Sequence, residues 1–341
     1  MTQPRAYLIL LILIISQYSF GQNPNFQYDS SYVETTHELF ASRLFFSQKY
    51  TRLTTRSLDG NEKYTLVPNT GLKMGLGFNY QRLTVNVSFP VKLLYPDKIE
   101  DWRGNLDLQS HIYAPKIIVD FFGQFYNGYK IKSENRKNSD EDYLREDLRQ
   151  VSLGLNMNYL FFGDKLSIAA SHNQSSIQKK SAYSPFVGFE GYGGFMKGDS
   201  LLLPDSPATD PVNFERAGYF LAGPNAGMAG TLVFGKGFFV TGVASVNLSG
   251  GYSKWTSGEE FKKWGVVPTY HLRGFLGYNG SRISINTSYV YKNLNLIDGG
   301  PYNVAVNTGN FRINFIYKVL PGKRFKKGFN KVNPIRIVIK D

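Results

Sequence analysis

Phe311-Arg312-Ile313-Asn314-Phe315-Ile316-Tyr317-Lys318-Val319 carries an apolar or aromatic residue at every odd position and Arg, Asn and Lys at most even ones. Successive side chains of a strand point to opposite faces, so this segment has one oily face and one wet face. Arg82 to Phe89 repeats the pattern, setting Leu83, Val85, Val87 and Phe89 against Arg82, Thr84, Asn86 and Ser88. Val151 to Phe161 and Arg282 to Lys292 are as regular. Such segments, repeated along a chain that opens like a secreted one, predict a transmembrane antiparallel up-and-down β-barrel whose apolar faces meet lipid.

The export signal lies in the first 21 residues: Arg5, an apolar run from Tyr7 to Ile15, and the small-residue frame Ser19-Phe20-Gly21 before Gln22. A membrane-spanning helix needs about 20 apolar residues, so the run reads as a signal peptide (1–21) cleaved after Gly21. The chain has no cysteine, which excludes a disulfide framework, a lipidated N-terminal Cys and a thiolate nucleophile. Aromatic residues make up 15% of the chain and the formal charge is +13. Because the basic residues are scattered through the strands, the charge points to a wet basic lumen and to anionic lipid headgroups or solutes, not to nucleic acid.

Barrel strands cross in about 9 to 11 residues, with short turns at one end and longer loops at the other. Tight turns are expected at Gln81-Arg82, Pro115-Lys116, Gly163-Asp164, Gly198-Asp199, Gly235-Lys236 and Asn279-Gly280. Longer loops are expected near 56–61, 95–103, 132–146, 177–181, 204–216, 254–265 and 295–306. These spacings predict about 14 strands, or 12 if Leu201-Leu202-Leu203-Pro204 and a neighbour fail as strands, since Pro weakens a ladder. The chain then divides into a periplasmic or pore-inserted segment (22–41), an outer-membrane β-barrel (42–320) and a basic periplasmic tail (321–341).

Short motifs are spread along the barrel: Tyr64-Thr65-Leu66-Val67-Pro68-Asn69, Gly75-Leu76-Gly77-Phe78-Asn79-Tyr80, Gln124-Phe125-Tyr126-Asn127-Gly128-Tyr129, Gln178-Lys179-Lys180-Ser181-Ala182 and Gly322-Lys323-Arg324-Phe325. In these the chain resembles an uncharacterised family of Bacteroidota outer-membrane β-barrels, a domain of unknown function. The resemblance implies location and architecture and supplies no reaction. Tyr183 departs from the small residue that the family pattern has after Ala182.

No catalytic constellation emerges. Ser171 and His172 are adjacent, which on a strand points them to opposite faces, and Leu166, Ile168, Ala170 and His172 then share a lipid face. Asp140, Glu141, Asp142, Glu146 and Asp147 sit among Lys132, Arg136, Lys137 and Arg145 and read as a self-paired polar loop; no metal and no cofactor is expected. The inferred inward face carries His271 and Arg273 on one strand, Asn286 on the next, and Arg312 with Asn314 on the last. Asp120 and Lys49 also face inward, because a charge facing lipid at mid-depth costs about 2–4 kcal/mol for Arg or Lys. These seven residues are the candidate lumen or solute-binding residues. The reading that follows is a non-enzymatic, porin-like channel or solute/lipid translocation barrel with outer-membrane lipid and a small anionic solute as partners. A periplasmic protein reached through Lys323, Arg324, Lys326 and Lys327 would make it a docking component instead, and carboxylates, Ser and His converging at the outer rim would make it a lipid-modifying enzyme.

Overall fold

A computed structural model of the chain describes residues 27–332, apart from 37, 58–62, 69–70, 81–82, 92–105, 132–141, 201–214, 258 and 298–301. The expected signal peptide and the run Leu201-Leu202-Leu203 therefore lie outside the described residues. In chain order the strands are β1 (Val33–Thr35), β2 (Phe40–Ser57), β3 (Lys63–Pro68), β4 (Lys73–Tyr80), β5 (Leu83–Pro90), β6 (Leu106–Ala114), β7 (Ile117–Ile131), β8 (Tyr143–Leu160), β9 (Ser176–Gln178), β10 (Ala182–Lys197), β11 (Arg216–Phe234), β12 (Phe238–Ser257), β13 (Glu259–Asn279), β14 (Ile283–Asn295) and β15 (Tyr302–Val319). Helix α1 (Ile168–His172) lies between β8 and β9, and α2 (Lys323–Val332) follows β15.

Ten strands close a ring in the order β2-β3-β7-β8-β10-β11-β12-β13-β14-β15, every neighbour antiparallel. The segment Phe311–Val319 closes it: β15 runs along β2 from Tyr302↔Ser57 to Val319↔Phe40. Phe40 and Val319 thus mark one rim, the terminal end, opposite the distal end. Strands β4, β5 and β6 add to the terminal half only. There β2 pairs β4 along Ala41–Ser47, whereas further up it pairs β3 along Leu53–Arg56. Likewise β6 pairs the first part of β7, and among the described residues no pairing joins β5 to β6.

The expectation of fourteen strands is corrected to ten in the ring and three beside it, and the cause is local. Gly198 donates its N–H to Glu215 O at 2.9 Å, closing the distal side of the β10–β11 pair, so Gly198-Asp199 is not a terminal-end turn. Gly163-Asp164 does turn at the terminal end, but it leads inward instead of into a strand. The expected loop at 177–181 belongs to that same excursion through β9, and 254–265 is mostly the paired end of the β12–β13 hairpin. The Gly235-Lys236 turn lies where it was expected, with φ of 57° at Gly235 and 103° at Gly237, a left-handed conformation that glycine takes without a Cβ penalty.

The outward face is apolar. On β11 and β12 it presents Phe220, Met228, Leu232, Phe234, Phe238, Val240, Val246 and Leu248, all exposed. Aromatic rings gather at both rims, with Phe161, Phe162, Tyr183, Phe234, Phe238 and Tyr317 at the terminal end and Phe220, Tyr252 and Trp264 toward the distal end. Charges begin just beyond the distal rings: Lys262 Nζ lies 4.3 Å from the centroid of Tyr252 and 4.8 Å from that of Trp264, laying its stem along the rings with its ammonium at the edge of the belt.

Inside, side chains fill both ends. The distal half holds a packed apolar cluster that includes Leu53, Leu66, Tyr129, Ile131, Leu148, Leu221, Trp255 and Ile297, and each such side chain contributes about 1.5–3 kcal/mol on burial. A second cluster, Ile118, Leu160, Leu166, Ile168, Phe186, Ala229 and Val243, surrounds α1 near the terminal end.

Candidate functional site

The segment between β8 and β10 folds into the barrel. Ser167 caps α1, its Oγ accepting from Ala170 N at 3.2 Å, and Leu166 and Ile168 turn to the inner wall. Strand β9 pairs with β1, Val33↔Gln178 to Thr35↔Ser176. Four wall side chains grip the inserted segment, three of them by its backbone. Asn279 Nδ2 donates to Ala170 O and Ser176 O at 3.1 and 2.8 Å. Asn286 Nδ2 donates to Ser171 O at 2.5 Å, and Arg43 Nη2 donates to Asn173 O at 2.7 Å. The fourth, Thr241, shares a hydrogen bond with the Ser171 hydroxyl at 2.5 Å. The buried carbonyls thereby gain the partners that a loop leaving the sheet would otherwise lack.

This overturns the reading of Ser171 and His172 as neighbours on a strand with His172 facing lipid. The alternation of Leu166, Ile168, Ala170 and His172 is met by a short helix whose surroundings are the inside of the barrel. The His172 ring lies in the lumen, 4.7 Å from His111, 5.0 Å from Tyr113 and 5.9 Å from Phe275 between centroids.

Between the inserted segment and the distal cluster lies a polar layer. Asp120 on β7 accepts from Arg273 Nη2 on β13 and makes a 2.7 Å hydrogen bond with His111 Nδ1 on β6. Arg273 also donates from Nη1 to Tyr113 Oη and from Nε to His271 Nε2, each at 3.2 Å. On the same level Lys292 Nζ stands over the Tyr192 ring at 2.8 Å from its centroid, and Arg312 lies over Phe45 at 4.6 Å. Glu190 is occupied elsewhere, accepting from Tyr192 Oη at 2.6 Å and Thr269 Oγ1 at 3.0 Å.

These groups line a cavity of about 100 Å³, room for several water molecules. Its lining includes His111, His172, His271, Arg273, Lys292 and Arg312, and Asp120 is its one carboxylate among the described residues. Among the described residues, His172 Nδ1 and the Oδ1 atoms of Asn310 and Asn314 have no hydrogen-bond partner, so a molecule in the cavity meets both cationic groups and unsatisfied polar atoms.

Five of the seven residues singled out from the sequence, Asp120, His271, Arg273, Arg312 and Asn314, line the cavity. Asn286 faces inward but serves the inserted segment, and it accepts from Asn314 Nδ2 at 2.7 Å. Lys49 sits half-buried on β2 opposite Asn310, outside the lining. Sequence reasoning missed His111, Tyr113, His172 and Lys292. The pairing His111↔Asp120 across a hairpin turning at Pro115-Lys116 was a signal for the first two; nothing in the alternation pointed His172 inward. The acidic loop resolves in part as pairs, Arg145 with Asp147 at 2.7 Å and Lys130 with Asp142 at 2.9 Å, and the described residues contain no cluster that could hold a metal.

A family model described as a domain of unknown function (DUF4421) matches residues 27–319. The chain belongs to that family. The match runs from the residues just before β1 to the last residue of β15, so the family unit takes in the whole ring together with the inserted segment. No curated protein matches the chain. Among solved structures it is similar to the outer-membrane protease OmpT from Escherichia coli, at 11% identity and a TM-score of 0.36 over 84% of this chain and 98% of that one. It is also similar to the beta domain of the Bordetella autotransporter BrkA, at 13% identity and 0.35 over 81% and 98%. A third is the COG4313 outer membrane channel from Pseudomonas putida F1, at 6% identity and 0.30 over 85% and 99%.

Proposed function

We propose that the protein is a non-enzymatic barrel of the Gram-negative outer membrane that takes a small anionic solute into a closed basic lumen and releases it when the inserted segment moves. The observation that carries this reading is the cavity, whose lining sets the cationic side chains of Arg273, Lys292 and Arg312 against Asp120 as the one carboxylate among the described residues, with Asp120 already bound by Arg273 and His111, His172 and His271 adding polar ring atoms. Cationic groups in a low-dielectric enclosure attract negative charge strongly. The unpartnered His172 Nδ1, Asn310 Oδ1 and Asn314 Oδ1 favour a solute that also donates hydrogen bonds, such as a hydroxylated carboxylate or a protonated phosphate. Membrane residence is supported by the exposed apolar belt between two aromatic rims, the arrangement of barrels that stand in lipid.

A standing-open, porin-like pore is disfavoured by the apolar cluster above the cavity and α1 below it. Calorimetric titration of the purified protein with inorganic phosphate is expected to show binding that Arg312→Gln and Lys292→Met weaken, with no binding of choline. Planar bilayers are expected to show no standing conductance. Equal binding of phosphate by wild type and both variants would sink the solute reading, and a steady wild-type conductance would sink the closed-lumen reading.

A further inference from the structure

Helix α2 lies against the outside of the barrel, and its sequence divides by face. Lys326 N donates to Gly322 O at 3.1 Å, starting the helix directly after the ring closes. Phe325 and Phe329 are four residues apart and so share a stripe. Their rings meet Phe40 and Tyr80: Phe325 at 5.2 and 5.5 Å between centroids, Phe329 at 4.8 Å from Tyr80. Tyr80 stands on the outward side of β4 with the exposed Met74 and Leu76, yet is only 3% exposed itself, because the helix covers it. Phe40 is likewise on the outward side of β2, stacked on Phe78 at 6.0 Å.

The rest of the helix circumference is basic: Lys323, Arg324, Lys326 and Lys327, with no acidic residue in the first turn. An amphipathic helix fixed by its aromatic stripe to the lipid side of a barrel, at the level of a rim, sits where headgroups begin. Four cations there face a layer of phosphates. Phe325 is still 42% exposed, leaving part of a ring beside the acyl boundary.

We infer that α2 is an interfacial helix that binds the headgroups of anionic phospholipids. The inference rests on the reading of the barrel as membrane-embedded. Its occupant is a lipid surface and not a protein, because the apolar stripe is already used against the barrel wall and what remains is charge without shape. Electrostatic attraction to anionic lipid is about 1 kcal/mol for each Lys or Arg near the surface, which corresponds to about fivefold per residue.

The test uses full-length protein inserted into vesicles of phosphatidylcholine alone or mixed with phosphatidylglycerol, then extracted for native mass spectrometry to count retained lipids. Wild type is expected to retain phosphatidylglycerol over phosphatidylcholine. Lys323→Gln, Arg324→Gln, Lys326→Gln and Lys327→Gln together are expected to abolish the preference while the barrel keeps its heat-dependent gel mobility. Lys236→Gln with Arg282→Gln, which neutralises two turns of the same rim, is expected to keep it. Preference surviving in the helix variant, or lost equally in the turn variant, overturns the assignment to α2. Wild-type insertion without headgroup preference overturns it too and leaves the basic face to an acidic protein. Failure to insert into phosphatidylcholine alone is a different result, since it removes the membrane reading beneath both proposals.

Discussion

Asp120 and Arg273 are bonded across the full width of the barrel. Between their strands, β7 and β13, lie β8, β10, β11 and β12 one way round the ring and β3, β2, β15 and β14 the other. An ion pair that spans a lumen ties opposite walls together and sits in the path of anything passing through. Neither residue has water enough around it to tolerate losing the other.

Removing one partner strands a buried charge, so Asp120→Ala or Arg273→Ala is expected to cost about 3–5 kcal/mol. Asp120→Leu combined with Arg273→Met is expected to cost less than either. Urea unfolding in lipid vesicles measures this, and losses that simply add would refute the coupling.

Val246 is exposed near mid-height on the outward face of β12. In lipid, Val246→Arg is expected to lose about 2–4 kcal/mol; on a water-exposed surface the change would stay within about 0.5 kcal/mol. The same unfolding titration decides between them.

A Cβ on Gly154 would collide with the rings of Phe122 and Tyr192, which stack at 5.7 Å and carry Lys292 above them. Gly154→Ala is therefore expected to destabilise by about 1–3 kcal/mol. A Cβ on Gly242 would meet nothing within 4 Å among the described residues, so Gly242→Ala is the matched control with no loss expected. Thermal unfolding of the two variants should differ in that order, and equal midpoints would contradict the packing.

Asn279 and Asn286 hold the carbonyls of Ala170, Ser171, His172 and Ser176 in the inserted segment, and a buried carbonyl left without its partner costs about 1–3 kcal/mol. Asn279→Ala with Asn286→Ala is expected to loosen the segment and admit solvent from the terminal end. Because the chain has no cysteine, Ser288→Cys places a single thiol in the cavity lining. Its reaction with a small thiol reagent should speed up in the loosened background, and an unchanged rate would count against gating by this segment.

Much of the wall was legible from alternation alone. Phe311 to Val319 closes on β2, and three adjacent strands do present His271 and Arg273, Asn286, and Arg312 with Asn314 to the lumen, because burial of charge away from an apolar exterior leaves them one direction. The inserted segment was not legible. Inside a filled barrel a helix of five residues is buried on every side, so Leu166, Ile168 and Ala170 satisfy a period of two without being a strand. Strand number failed for a related reason: a Gly-Asp pair marks a reversal of the chain but not the rim at which it occurs.

The partners of β2 change along its length, β4 near the terminal rim and β3 beyond it, and β7 shows the same change with β6 and β3. Three strands thus stand beside the ring at its terminal half, and among the described residues nothing pairs β5 with β6. At the distal end side chains of the wall meet one another, as Leu66, Tyr129 and Leu221 do. At the terminal end Ile118, Leu160 and Phe186 of the wall meet Leu166 and Ile168 of the inserted segment instead, so the stopper there is built from the chain's own folded backbone.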